Sequence, residues 1–135
     1  MVSFTKKAFE SIKGHALHEA PKEACGVLAG AQKKVTEVFP CTNVDKNPYS
    51  AYTVDPQELL KIMDEIEKDS SKSLEIIGFY HSHPFTGSRP SAVDISRAAW
   101  DEYLYAIYSI PEDMLRCWRW SEEQKRFFQE TIKFL

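Results

Sequence analysis

Hydrophobic positions along the chain follow two periods. Phe9, Ile12, Ala16 and Leu17 recur at helical spacing, with Lys6, Lys7, Glu10 and Lys13 elsewhere on the wheel. This predicts a helix over 5–20, which Pro21 ends. Residues 24–29 and 34–39 are short apolar runs joined by a turn at 30–33, the pattern of a hairpin. Asp55-Pro56-Gln57-Glu58 starts a second helix, with Asp at the N-cap, Pro at N1 and Glu at N3. Leu59, Ile62, Met63 and Ile66 give it one apolar face, up to about Lys68. Between hairpin and helix, 41–50 is polar and turn-rich, and 51–54 reads as a short edge strand. A polar linker over 69–73 leads into Leu74–Tyr80, an apolar and aromatic run that reads as a buried strand. A third helix is expected from Ala92 to about Asp101, carrying Val93, Ile95, Ala98 and Ala99. Strands are expected over 103–110, 114–120 and 125–134, with turns at 111–113 and 121–124. The order predicts an α/β fold, a mixed sheet flanked by helices, in one domain spanning 1–135.

Chemistry concentrates after the central strand. If that strand runs on to His83, its period of two puts His81 and His83 on one face, where Pro84 stops the pairing. A Gly/Ser/Pro loop follows, and Ser91-Ala92-Val93-Asp94 opens the third helix with Ser91 at the N-cap. Two imidazoles and one carboxylate, meeting at a strand end and a helix start, would make three ligands of an open metal site. Each residue also has a structural reading. A His pair beside a strand end occurs without metal, Asp94 complements a helix dipole, and Ser91 caps. The residues alone leave both readings open. Ser82 alternates away from the histidines and reads as structural. His15 and His18 read as facing solvent on the first helix.

Composition narrows the class. With 135 residues and 43% hydrophobic content, the chain can bury a real core. A net charge of −3 and no basic block argue against nucleic acid as a partner. No run of about eighteen apolar residues occurs, so no membrane span is expected. The N-terminus lacks an apolar signal core. Three cysteines without metal spacing suit a reducing, cytoplasmic setting. Cys25, Cys41 and Cys117 read as small core residues.

The pattern His81-Ser82-His83-Pro84, six residues, Ser91, two residues, Asp94 resembles the signature of the JAMM metalloproteases, the catalytic branch of the MPN domains. That family also has a glutamate at the start of an upstream strand. The segment Pro21-Lys22-Glu23-Ala24-Cys25-Gly26-Val27-Leu28-Ala29-Gly30 resembles that region. Position alone does not select Glu23 over Glu19 or Glu37; the resemblance does. It implies a curved, largely antiparallel sheet of the cytidine-deaminase-like kind. It implies one zinc ion per chain on His81, His83 and Asp94, with Glu23 moving the proton and Ser91 donating to the oxyanion. It further implies cleavage after the C-terminal glycines of a ubiquitin-like or sulfur-carrier protein. The partner's extended Gly-Gly tail is expected against 51–54 or the 85–90 loop. Two other classes stay open. A non-catalytic scaffold of the same fold would have no need of the complete polar set. A small-molecule zinc hydrolase such as a nucleoside deaminase would show His-x-Glu and Pro-Cys-x-x-Cys, which are absent.

Overall fold

The computed structural model describes residues 1–69, 71 and 73–135. The helices are α1 (Lys6–Glu19), α2 (Pro56–Lys68) and α3 (Ala92–Arg97). The strands are β1 (Val2–Phe4), β2 (Cys25–Ala31), β3 (Lys34–Cys41), β4 (Glu75–His83), β5 (Leu104–Ser109), β6 (Met114–Ser121), β7 (Arg126–Glu130) and β8 (Ile132–Phe134). They form one mixed sheet in the order β7-β6-β5-β4-β2-β3-β1-β8. The pairs β2–β3, β2–β4, β5–β6 and β6–β7 are antiparallel, whereas β4–β5, β1–β3 and β1–β8 are parallel. β7 and β8 lie at opposite ends of this order, yet only Thr131 separates them along the chain. The sheet must therefore curl until its ends approach each other. Thr131 holds that corner, accepting the Val2 N–H at 2.8 Å.

Each face of the sheet carries its own core. α1 packs on one face, its Ala8, Ile12 and Ala16 joining Val2, Phe4, Leu28, Tyr80 and Tyr108. α2 packs on the other, its Ile62 joining Val27, Phe79, Tyr105 and Trp120. Thr5 caps α1 by accepting from the Ala8 N–H at 3.1 Å, and Asp55 caps α2 through the Gln57 N–H at 2.9 Å. β4 changes its side-chain parity on the way. Its register with β2 shifts where Leu28 pairs with Gly78 but Ala29 pairs with Ile76, leaving one extra residue in β4. Ile76 and Phe79 consequently share the α2 face, and the odd positions beyond it, His81 and His83, follow. Gly78 permits the close approach to β5, since a Cβ there would lie 2.1 Å from the Leu104 carbonyl oxygen.

Several expectations are corrected. β1 lies outside the elements that the pattern predicts; three residues ahead of a helix cap carry no period, and its partners are distant in sequence. Residues 51–54 form no strand, only a bridge between Asn43 and Val54, because Thr53 donates to the Asn43 side chain instead. α3 stops at Arg97, where Ala98 turns extended and Trp100 packs on Phe79 at 5.0 Å. The final segment divides at Thr131 into two strands on opposite ends of the sheet. Met63 and Leu17 point outward, while Ala8 joins the core. His15 does not face solvent; its Nδ1 lies 2.8 Å from the Tyr80 hydroxyl. Of the expected 69–73 linker, Ser70 and Lys72 lie outside the described residues. All three cysteines are buried and free. Burial pushes the Cys41 and Cys117 thiols up to about 12, consistent with inert core residues. Among the described residues, no helix is long and apolar enough to cross a membrane.

Candidate functional site

Three elements converge beyond the end of β4. The strand's parity aims His81 and His83 from the α2 face, and both are buried. α3 brings Asp94 against them. Asp94 Oδ2 lies 3.1 Å from Nε2 of each imidazole, and the two Nε2 atoms are 3.2 Å apart. Asp94 is held there by a capping box. The Ser91 N–H donates to Asp94 Oδ2 at 2.9 Å, and the Asp94 N–H donates to Ser91 Oγ at 3.1 Å. The third element is the segment between α1 and β2, which carries Glu23. A ligand atom of Glu23 lies within 4.8 Å of one from each histidine.

Glu23 owes its place to main-chain ties. Its N–H donates to the Pro48 carbonyl at 2.8 Å, and its carbonyl accepts from Asn43 Nδ2 at 3.0 Å. One residue later, the Ala24 N–H donates to Ser82 Oγ at 2.8 Å, and the Ser82 N–H donates back to the Ala24 carbonyl at 3.0 Å. Ser82 therefore faces away from the histidines and clamps the Glu23 segment to β4, the structural role expected of it. Arg97 pairs with Asp45 and donates to the Tyr52 carbonyl at 3.2 Å, tying α3 to the 42–55 segment. Tyr52 stacks on His81 with ring centroids 4.3 Å apart. Asn43, Asp45, Tyr52 and Arg97 were not singled out from the sequence. They lie in a turn-rich stretch and a helix end, and no spacing signals contacts made so far along the chain.

The protonation pattern shows what the cluster can hold. The Gly87 carbonyl can only accept, so His83 Nδ1, 2.7 Å away, carries the proton. In the neutral ring, Nε2 then presents a lone pair towards Asp94 Oδ2, itself an acceptor. Two acceptors at 3.1 Å require a cation or a proton between them. A tetrahedral metal bound at about 2.0–2.1 Å by nitrogen and oxygen separates its ligands by about 3.3 Å. The observed triangle of 3.1–3.2 Å fits that spacing. Among the described residues, two buried side-chain polar atoms lack a partner, Glu23 Oε1 and His81 Nδ1, and both belong to this cluster.

Electrostatics separates the two carboxylates. Burial would raise Asp94, but the two imidazoles and the Ser91 N–H outweigh it and hold the carboxyl well below the usual range. Burial pushes Glu23 up to about 7, with His83 offsetting part of the effect. Burial lowers His81, whereas in His83 Asp94 and the Gly87 carbonyl overcome it and raise the ring. One carboxylate thus stays ionised among the imidazoles, and the other is poised to gain or lose a proton near neutrality. Beside the cluster opens a cavity of about 280 Å³ lined by Tyr52, Leu59, Phe79, Asp94, Arg97 and Trp100. It abuts 52–54, one of the two stretches expected to flank a groove; the 85–90 loop is not among its walls.

A family model described as prokaryotic homologs of the JAB domain matches residues 5–121. The chain belongs to this prokaryotic JAB family. The JAB domain here is 39% identical over 138 residues to a desampylase of Haloferax volcanii, covering 98% of this chain and 96% of that protein. It is 41% identical over 91 residues to a probable TtuB-protein conjugate cleaving protease of Thermus thermophilus, covering 67% of this chain and 59% of that one. A solved protein from Desulfitobacterium hafniense superposes with a TM-score of 0.88 at 30% identity, covering all of this chain and 93% of the other.

Proposed function

We propose that this JAB domain is a zinc-dependent hydrolase. It cleaves the peptide or isopeptide bond after the C-terminal glycines of a ubiquitin-like or sulfur-carrier protein. One observation carries the reading: two imidazole nitrogens and a carboxylate oxygen form a triangle of 3.1–3.2 Å, with the buried carboxyl of Glu23 beside the histidines. Relatives named as a desampylase and a conjugate-cleaving protease support the substrate class.

In this reading His81, His83 and Asp94 hold one zinc ion per chain. When bound, zinc supplies Lewis acidity, which makes water a better nucleophile and a carbonyl a better electrophile. Glu23 takes the proton that water gives up and returns it to the departing amine, a task suited to a buried carboxyl held beside the ligand triangle but outside it. Ser91 Oγ already accepts from the Asp94 N–H, but its own hydroxyl proton is free to donate to a developing oxyanion. Capping and catalysis are thus compatible in one side chain. Tyr52 and the cavity it walls orient the apolar part of the partner's tail.

The test pairs metal analysis of the purified chain with cleavage of a ubiquitin-like protein fused through Gly-Gly. The expected result is about one zinc per chain, with metal and activity lost together on chelation or in His81→Ala and His83→Ala. Unchanged metal content in the double variant would overturn the ligand assignment. Full zinc with no cleavage of any such fusion would overturn the substrate class.

A further inference from the structure

The loop between β4 and α3 is anchored at one residue. Ser88 is fully buried, and every polar group it has is engaged. Its N–H and its hydroxyl donate to Glu112 Oε1 at 2.9 and 2.8 Å. Its Oγ accepts from Arg116 Nη1 at 2.6 Å, and its carbonyl accepts from the Trp118 indole N–H at 3.1 Å. Glu112 is fixed in turn, since Arg116 Nη1 reaches Oε1 at 3.2 Å and the Glu112 N–H donates to Ser109 Oγ at 3.2 Å.

The bond from the Ser88 N–H to Glu112 and the bond from His83 to the Gly87 carbonyl belong to the same peptide group. In this trans, planar unit the C=O and the N–H point in opposite directions. One end accepts from His83 Nδ1 at 2.7 Å, and the other donates to the Glu112 carboxylate at 2.9 Å. A carboxylate on the N–H polarises the whole amide and makes its oxygen a stronger acceptor. Metal-binding histidines commonly donate their second N–H to a carboxylate, which fixes the tautomer and raises ligand basicity. Here a peptide group stands between the carboxylate and the ring. Gly87 makes room for this, because a Cβ there would lie 3.0 Å from Glu112 Oε2 and 3.3 Å from Cδ.

We propose that Glu112 is a positioning residue for His83, acting through the Gly87–Ser88 peptide group to fix the tautomer and orientation of that ring and strengthen it as a metal ligand. The proposal rests on the reading of His83 as a ligand. Glu112 touches neither the metal cluster nor the cavity, so its effect must pass through the peptide.

The test measures Zn²⁺ affinity of the whole chain by competition with a chromophoric chelator. It also records ¹⁵N imidazole signals of the zinc-free protein at a pH high enough to keep the His83 ring neutral. Glu112→Ala should weaken zinc binding by about 10–100-fold, the usual effect of losing such a partner. It should also shift the His83 signals from the Nδ1–H tautomer towards a mixture. Glu112→Gln keeps an acceptor but loses the charge, so its loss should be smaller but measurable, about threefold or more. Trp118→Phe removes a brace on the Ser88 carbonyl without touching the Gly87–Ser88 peptide, and should leave zinc affinity within about twofold. A folded Glu112→Ala protein with parental zinc affinity and His83 signals would overturn the proposal. So would Trp118→Phe weakening zinc as much as Glu112→Ala, which would reduce Glu112 to a loop brace. If Glu112→Ala fails to fold, Glu112→Gln decides by the same readouts. An unaltered chain that binds no zinc would overturn the ligand reading and this proposal together; binding that ignores Glu112 would overturn this proposal alone.

Discussion

Replacing Glu23 by Gln should have two opposite effects, crippling turnover while stabilising the zinc-free protein at alkaline pH. The carboxyl is only 5% exposed, and burial lifts it from 4.5 to about 7. Between those values the folded protein keeps a proton that the unfolded chain has released. Stability of the zinc-free protein must then fall as pH rises through this window. By pH 8 the loss is on the order of 3 kcal/mol, most of it absent at pH 5. Gln has a similar shape and does not titrate, so Glu23→Gln should abolish that slope. Urea denaturation of the zinc-free proteins at pH 5 and pH 8 measures it. Single-turnover cleavage of a Gly-Gly fusion by the zinc-loaded variant should fall by ~10²–10⁴, as for a lost general base. Parallel pH profiles for parent and variant would show that the carboxyl ionises in the ordinary range and refute the burial argument. Parental cleavage would move the base elsewhere. Loss of zinc in the variant would make Glu23 a ligand.

Ser91→Ala should slow turnover by roughly ten- to a thousandfold for a lost oxyanion donor, and lower stability by about 1 kcal/mol for a lost cap. Urea melts and single-turnover rates on one preparation check both, and full activity with reduced stability would leave Ser91 as a cap only. Asp45 is held down to about 2, first by the Asn47 N–H and then by Arg97 and Thr53. Its folded value is depressed, so its contribution is present above the ordinary carboxylate range and is lost as pH falls from about 4 to about 2. Asp45→Asn should flatten that part of the acid-unfolding curve followed by circular dichroism; an unchanged curve would count against the Arg97 tie.

What the sequence revealed and what it concealed divide along the range of the interactions. His81 and His83 share a face because a strand has period two, and that is readable locally. Which face they share depends on the extra residue in β4 near Ile77, and nothing in the Leu74–Tyr80 run marks it. Ser91 and Asp94 form a capping box, a four-residue signal, and the structure contains it. α3 looked longer because Ala98 and Ala99 suit a helix. Tertiary packing of Trp100 on Phe79 and Tyr103 overrode that preference. β1 and β8 exist because they pair with each other and with the rest of the sheet, over separations no local window spans. Glu23 was selected by resemblance rather than by pattern. Its burial comes from Pro48 and Asn43, residues of a segment that read as an ordinary polar loop.

Unmatched buried polar atoms concentrate at the candidate site. Elsewhere in the described residues, buried side-chain polar atoms find partners, as a stable interior requires. The two exceptions, Glu23 Oε1 and His81 Nδ1, fall together in one cluster supplied by three elements. Burial withholds water from Glu23 and, with the nearby carboxylates of Asp94 and Asp45, raises its carboxyl to about 7. The cost is local, since Glu23 is fixed by its backbone while its side chain is left unmatched. The ties that place it, from Pro48, Asn43 and Ser82, use main-chain atoms of residues 23 and 24. Exchanging the Glu23 side chain should therefore leave those ties intact, and chemistry and architecture at this site should be separable by mutation.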